Sequence, residues 1–200
     1  MISLARRASR MLPGRLRISR LAQFCWYWPQ YQTQYARGVR RFEGQHSNTC
    51  VILGNGPSLT RTPLHLISPK VPVFGLNKIF LMPESTRPKI WFHVAVNPLV
   101  VEQSREQFSA LKCPSFIPFH LIGRQTQSGE VPIWTLGAKG FRFRPDRCVS
   151  EGFTVTFVAL QLALFFGFRK LFILLRSAAS YSCNFLEPFC QRLDIASKFS

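Results

Sequence analysis

At 200 residues the chain is long enough for one domain with a sizeable core and an appendage. It carries 26 Lys and Arg against nine Asp and Glu, a formal charge of +17, yet residues 1–42 hold Arg6, Arg7, Arg10, Arg15, Arg17, Arg20, Arg37, Arg40 and Arg41 and no acid. The remainder is only moderately basic, which argues against a protein that coats nucleic acid and for one that handles phosphates; six cysteines with no C-x-x-C pair and no histidine at metal-ligand spacing argue against a zinc site and for reduced thiols in the cytosol.

Residues 1–48 read as a basic N-terminal extension, partly disordered. The Arg-rich stretch 1–22 fits a solvated tail, or a transit-like or membrane-surface segment giving peripheral membrane contact; it lacks the apolar run of a secretory signal. The aromatic cluster 24–29 (FCWYWP) suits a membrane interface or docking on the main domain. The folded body is expected from Thr49 to Leu175.

Residues 50–59 (CVILGNGPSL) read as a strand buried on both faces that stops in a glycine turn. Gly54 and Gly56 permit positive φ and close approach to a ligand, Asn55 and Ser58 offer polar groups, and Pro57 pre-sets a first helical position. Such a loop can cradle phosphate; equally, it can be a plain turn. It is neither a G-x-G-x-x-G fingerprint nor a P-loop, because Pro57 follows Gly56 directly and no Gly-Lys-Ser/Thr ending is present. A short helix is expected over 59–66, interrupted by Pro63.

Two more strands follow, 73–77 and 89–96, each ending in an asparagine, Asn77 and Asn97. At the carboxyl edge of a parallel sheet an asparagine amide can serve a ligand, or it can cap the next turn. His93, inside its strand, is expected to be buried and hydrogen-bonded. Pro98 opens a helical pattern with Leu99, Val100, Gln103 and Phe108 on one face. Residues 116–119 suggest an edge strand because of Pro118, and 123–148 a loop or lid with a hairpin about 131–134. The alternating bases and aromatics of 139–147 suit an anion clamp or a solvated strand face.

The uncharged run 153–168 is too short for the roughly 20 residues of a membrane span. It reads as a buried helix with Thr154 as N-cap and Gly167 just past its end, followed by a buried strand at 171–175. Thr154 and Thr156 would then face the same sheet edge as the glycine loop.

Four segments in order, 51–59 (VILGNGPSL), 74–81 (FGLNKIFL), 94–103 (VAVNPLVVEQ) and 151–174 (EGFTVTFVALQLA and the strand after it), resemble the MptE-like proteins, relatives of archaeal 6-hydroxymethyl-7,8-dihydropterin pyrophosphokinase. They are more distantly similar to bacterial CMP-sialic acid sialyltransferases and motility accessory factors. The resemblance implies an α/β, Rossmann-like, mostly parallel sheet flanked by helices. It also implies a nucleotide site from Gly54, Asn55, Gly56, Pro57 and Ser58, with Asn77, Asn97, Thr154 and Thr156 beside them. The implied reaction is diphosphate transfer from ATP, with Mg²⁺, to a hydroxymethylpterin-like acceptor. The alternatives are glycosyl transfer from a CMP-sugar, or a non-catalytic nucleotide-binding remnant.

In the family the strand matching 171–174 runs into a Gly-hydrophobic-Asp motif, whereas here 175–180 reads LRSAAS. Residues 176–200 are therefore expected to be an atypical tail, and the sheet to be truncated at its C-terminal side. No catalytic residue is assigned, no specific nucleic acid is expected as partner, and Glu102, Asp146 and Glu151 are the acids expected near the edge.

Overall fold

The computed structural model describes residues 20–56, 59, 62–122, 125–137, 140–152, 154–174 and 180–184, the first seven and last five as backbone. Its strands are β1 (Thr49–Leu53), β2 (Val73–Leu76), β3 (Phe92–Val94), β4 (Ser115–Pro118), β5 (Glu130–Ile133), β6 (Thr135–Leu136), β7 (Val149–Ser150), β8 (Lys170–Leu174) and β9 (Ser180–Asn184). The helices are α1 (Arg20–Gln34), α2 (Ala36–Arg40), α3 (Pro98–Ser104), α4 (Phe119–Ile122) and α5 (Val155–Phe165).

Seven strands form one sheet in the order β5-β4-β3-β2-β1-β8-β9. The first six are parallel, and β9 pairs antiparallel with β8. The fold is thus α/β with a Rossmann-like, mostly parallel sheet. Residues 180–184, expected within an atypical tail, supply the strand that covers the outer side of β8.

Strand alternation sorts the core into two layers. Cys50, Ile52, Phe74, Leu76, Phe92, Val94 and Leu171 pack on one face against α5 and Val39 of α2. Val51, Leu53, Val73 and Ile79 pack on the other beneath the β1–β2 and β2–β3 connections, and Val101, Phe108 and Ile117 continue that layer.

Helix α5 is apolar nearly all round because it is covered nearly all round. Its ends are those expected. The Thr154 hydroxyl accepts from Phe157 N–H, and Gly167, at φ 98°, closes a Schellman turn in which Phe168 N–H donates to Ala163 O and Gly167 N–H to Leu164 O. A Cβ at Gly167 would lie 2.1 Å from His46 O, so the turn and its close approach both need glycine.

Several expectations are corrected. Packing extends upstream of Thr49: Tyr31, Ala36 and Val39 are fully buried, and Tyr31 meets Phe119 and Trp134. β4 is internal, because Pro118 ends the strand, where a missing N–H costs no ladder bond. The edge is β5, where Pro132 is tolerated for the same reason. No hairpin forms at 131–134; β5 pairs parallel with β4, and the chain continues into β6, which pairs parallel with β7. After α3 the chain tightens into a 3₁₀ turn at Arg105–Leu111, and the buried face is Val101, Ser104, Phe108 and Leu111, leaving Leu99 exposed.

Candidate functional site

From β1 the strands step through β2, β3 and β4 to β5, and the chain then returns over the opposite face by α5 to β8, on the other side of β1. The carboxyl ends of β1 and β8 therefore mark the switch point of the sheet, where open α/β sheets take ligands. The loop after β1 lies there. Gly54 is buried and its N–H donates to Leu174 O at 2.9 Å, tying the loop to β8, while Asn55 is exposed and Gly56 half-buried. Pro57 and Ser58 lie outside the described residues.

The helix expected after this loop is replaced by tight turns. Leu59 N–H donates to Gly56 O and Thr62 N–H to Leu59 O, and a 3₁₀ turn at Leu64–Leu66 follows Pro63. Among the described residues of this stretch, Pro63 precedes a single 3₁₀ turn and the Leu59 N–H is taken by Gly56 O.

Asn77 follows β2 directly and holds φ 49°, in the left-handed region that neither Gly54 nor Gly56 adopts. Its backbone is held on both sides by β3. Asn77 N–H donates to Val94 O at 2.9 Å, and His93 Nε2 lies 2.7 Å from Asn77 O. The chain turns sharply here because Gly75 lets Ile79 pack against the strand; a Cβ at Gly75 would come within 2.7 Å of Ile79. Asn77 Oδ1 is buried and has no hydrogen-bond partner among the described residues.

His93 is fully buried, as expected, with Nδ1 3.1 Å from Ser115 Oγ on β4. Burial pushes its pKa down to about 4, with the contact to Asn77 O offsetting part of the effect, so the ring is neutral near pH 7. A carbonyl only accepts; Nε2 therefore carries the proton, and Nδ1 accepts from the Ser115 hydroxyl.

Asn97 and Thr154 are caps. Asn97 Oδ1 accepts from Leu99 N–H at 2.9 Å at the start of α3, which leaves its Nδ2 for other work. Thr154 is exposed and Thr156 half-buried on the first turn of α5. The far end of α5 meets residues 44 and 46 just ahead of β1, through Gly44 N–H to Phe165 O and His46 N–H to Phe166 O. The first turn of α5 therefore lies toward the carboxyl edge, where Val155 and Thr156 N–H have no intrahelical acceptor. By chain topology Gly54, Asn55 and Gly56 follow the carboxyl end of β1, Asn77 that of β2 and Asn97 that of β3, and Thr154 and Thr156 lie at the end of α5 directed to the same side.

Other expected groups are elsewhere. Asp146 is fully buried between Arg40 and Arg144, and Arg144 also pairs with Glu43, so this stretch fastens the chain to α2 instead of presenting an anion clamp. Cys50, Cys113 and Cys148 are free thiols, and burial raises the first two far from the thiolate range. Among the described residues no three of His, Cys, Asp and Glu gather where a metal could sit, and no helix is long and apolar enough to cross a membrane. Ser115 was not legible as a site residue: it stands beside His93 only through the β3–β4 register.

Comparison of the chain with family models, with curated proteins and with solved structures finds no match.

Proposed function

We propose that the carboxyl edge about β1, β2 and β8 binds a nucleotide, and that the chain is a transferase of the MptE-like group. The single observation that supports this best is the coincidence of the glycine loop with the switch point of the sheet, beside an asparagine whose Oδ1 is buried with no hydrogen-bond partner among the described residues. In this reading Gly54, Asn55 and Gly56, with Pro57 and Ser58, approach the phosphates. Asn77 and Asn97 meet ribose or base, and the α5 start with Thr154 and Thr156 stabilises negative charge. The reaction is diphosphate transfer from ATP with Mg²⁺ to a hydroxymethylpterin-like acceptor, in the cytosol, where reduced cysteines persist.

One observation favours a second reading, glycosyl transfer from a CMP-sugar. A diphosphokinase needs carboxylates to help hold Mg²⁺, and Asp146, one of three acids expected at the edge, is committed to two arginines. A thermal-shift panel with CMP, CDP, ATP and GTP, each with and without Mg²⁺, and with Asn55→Ala as control, decides between them. Stabilisation by ATP only with Mg²⁺ supports diphosphate transfer, and stabilisation by cytidine nucleotides without metal supports sugar transfer. A ligand at a hundred times its Kd adds about 2.7 kcal/mol. No shift with any nucleotide overturns both and leaves a non-catalytic remnant.

A further inference from the structure

We infer that the buried His93–Ser115 pair is a positioning device: it fixes the left-handed peptide at Asn77 and thereby aims the Asn77 carboxamide at the bound nucleotide. The inference rests on the nucleotide-site reading above and assigns residues that the loop motifs do not include.

Three adjacent strands build the device. Gly75, His93 and Ser115 are neighbours across β2, β3 and β4. From this row the Ser115 hydroxyl donates to His93 Nδ1 at 3.1 Å and His93 Nε2–H donates to Asn77 O at 2.7 Å, while Val94 O takes the Asn77 N–H. Both polar groups of the Asn77 backbone are thus bonded to consecutive residues of β3. Asparagine enters the left-handed region more readily than other non-glycine residues, and its peptide holds one orientation there where the surroundings fix it. Here they do so with two hydrogen bonds, one of them backed by a third.

The packing around the ring does not by itself call for histidine. His93 is fully buried, Ser115 is 2% exposed, and the imidazole lies 4.6 Å from the Phe108 ring in an otherwise apolar layer. An aliphatic or aromatic side chain would suit those apolar neighbours but would leave Asn77 O and the Ser115 hydroxyl without this partner. What histidine adds is a donor that reaches past the end of its own strand to the turn after β2. Because the ring is neutral and both nitrogens are used, it is a fixed strut and takes no part in proton transfer. Its effect on a ligand passes through Asn77, whose Oδ1 is buried with no partner among the described residues. A small swing of that peptide would withdraw the acceptor from the ligand, and misplacements of about 1 Å are enough to cost large factors in binding geometry.

The test is a double-mutant cycle on the full chain, with Kd measured by calorimetry for the nucleotide that stabilises the wild type most. His93→Phe keeps a ring of similar volume and loses both hydrogen bonds, His93→Gln restores a donor near the Nε2 position, and Ser115→Ala removes only the outer link. The expected result is binding weakened about tenfold or more by His93→Phe, recovered to within about threefold by His93→Gln, and weakened less by Ser115→Ala. Asn77→Ala also weakens binding, and His93→Phe placed on top of it adds nothing. A structural role alone would lower the melting temperature while leaving the Kd of the folded fraction unchanged, and that result overturns the inference. So does full additivity of His93→Phe with Asn77→Ala. If His93→Phe does not fold, His93→Leu takes its place and Ser115→Ala is read by the same Kd criterion. Absence of nucleotide binding by the wild type overturns the site reading and this inference together, whereas undiminished binding by His93→Phe overturns this inference alone.

Discussion

Arg40 Nε stands 2.8 Å from Asp146 Oδ2, an ion pair that spans 106 residues and joins α2 to the segment ahead of β7. Arg144 completes the cage with contacts of 2.9 and 3.0 Å to the two carboxylate oxygens. Burial by itself would raise the Asp146 carboxyl, but the hydrogen bonds and charges of Arg144 and Arg40 outweigh it and hold the group below its ordinary value of 3.8. A carboxyl depressed in the fold contributes stability that is present above its unfolded value and lost as pH falls through the lower folded value. Asp146→Asn should therefore cost about 1–3 kcal/mol near pH 7. The gap from wild type should close as pH falls below 3.8. Urea denaturation of both proteins from pH 7 to pH 2.5 checks this; a gap that stays constant with pH would rule out the ion pair as its source.

Gln161 carries a similar connecting role without charge. Its Oε1 accepts from Arg142 N–H and Ser150 N–H, and its Nε2 donates to Ser150 O and Phe157 O, so a single buried amide uses all its capacity to fasten β7 and the 140s segment to α5. Gln161→Leu leaves buried backbone groups of Ser150 unpaired and should cost about 2–4 kcal/mol. Gln161→Glu should cost a comparable amount near pH 7, since a carboxylate cannot donate to the two carbonyls. Chemical denaturation at pH 7 measures both; a loss below 1 kcal/mol for Gln161→Leu, on the scale of an exposed position, would show the network to be dispensable.

Gly167→Ala should be among the most damaging single-methyl changes in the chain. The new Cβ would meet His46 O at 2.1 Å and Gly44 Cα at 3.2 Å, both backbone atoms, at a φ that non-glycine residues disfavour. The expected loss is about 3 kcal/mol or more, combining the cost of φ with displacement of the 44–46 backbone from the end of α5. A denaturation midpoint within error of wild type would contradict this packing.

Asn97 separates capping from ligand binding, because only its Oδ1 is engaged by the helix. Asn97→Ser keeps a capping oxygen and removes the amide donor, whereas Asn97→Ala removes both. The alanine variant should lose about 1 kcal/mol of stability and the serine variant only a few tenths. If Asn97 Nδ2 meets the nucleotide, both should weaken binding alike. Equal stabilities for the two variants would deny the cap, and serine binding at wild-type affinity would deny the contact.

Where several local signals agreed, the chain could be read directly. The apolar runs of β1, β2, β3 and β8 with their glycine and asparagine ends, and the threonine-to-glycine frame of α5, are each specified by their own residues. Tyr31, Ala36 and Val39 were hidden by the arginines among them, since charge along 1–42 outweighed a weak apolar spacing. Pro118 misdirected the reading of β4 because a proline tells where an N–H is missing, not whether that N–H faces a neighbour. The asparagines at the edge could be named from the sequence, but the conformation of Asn77 and its support could not. They arise from the alignment of His93 with Ser115, a product of sheet register between residues far apart in the chain.

The central place of β1 also governs the order in which the molecule can be completed. β1 finds β2 about twenty residues on, but its other side waits for β8, whose Lys170 pairs with Thr49. Until that distant segment is synthesised, β1 presents an open, apolar strand edge. Such non-local closure slows folding and prolongs exposure to wrong partners. The nascent chain is accordingly expected to depend on chaperones for longer than a domain of its size built from local contacts.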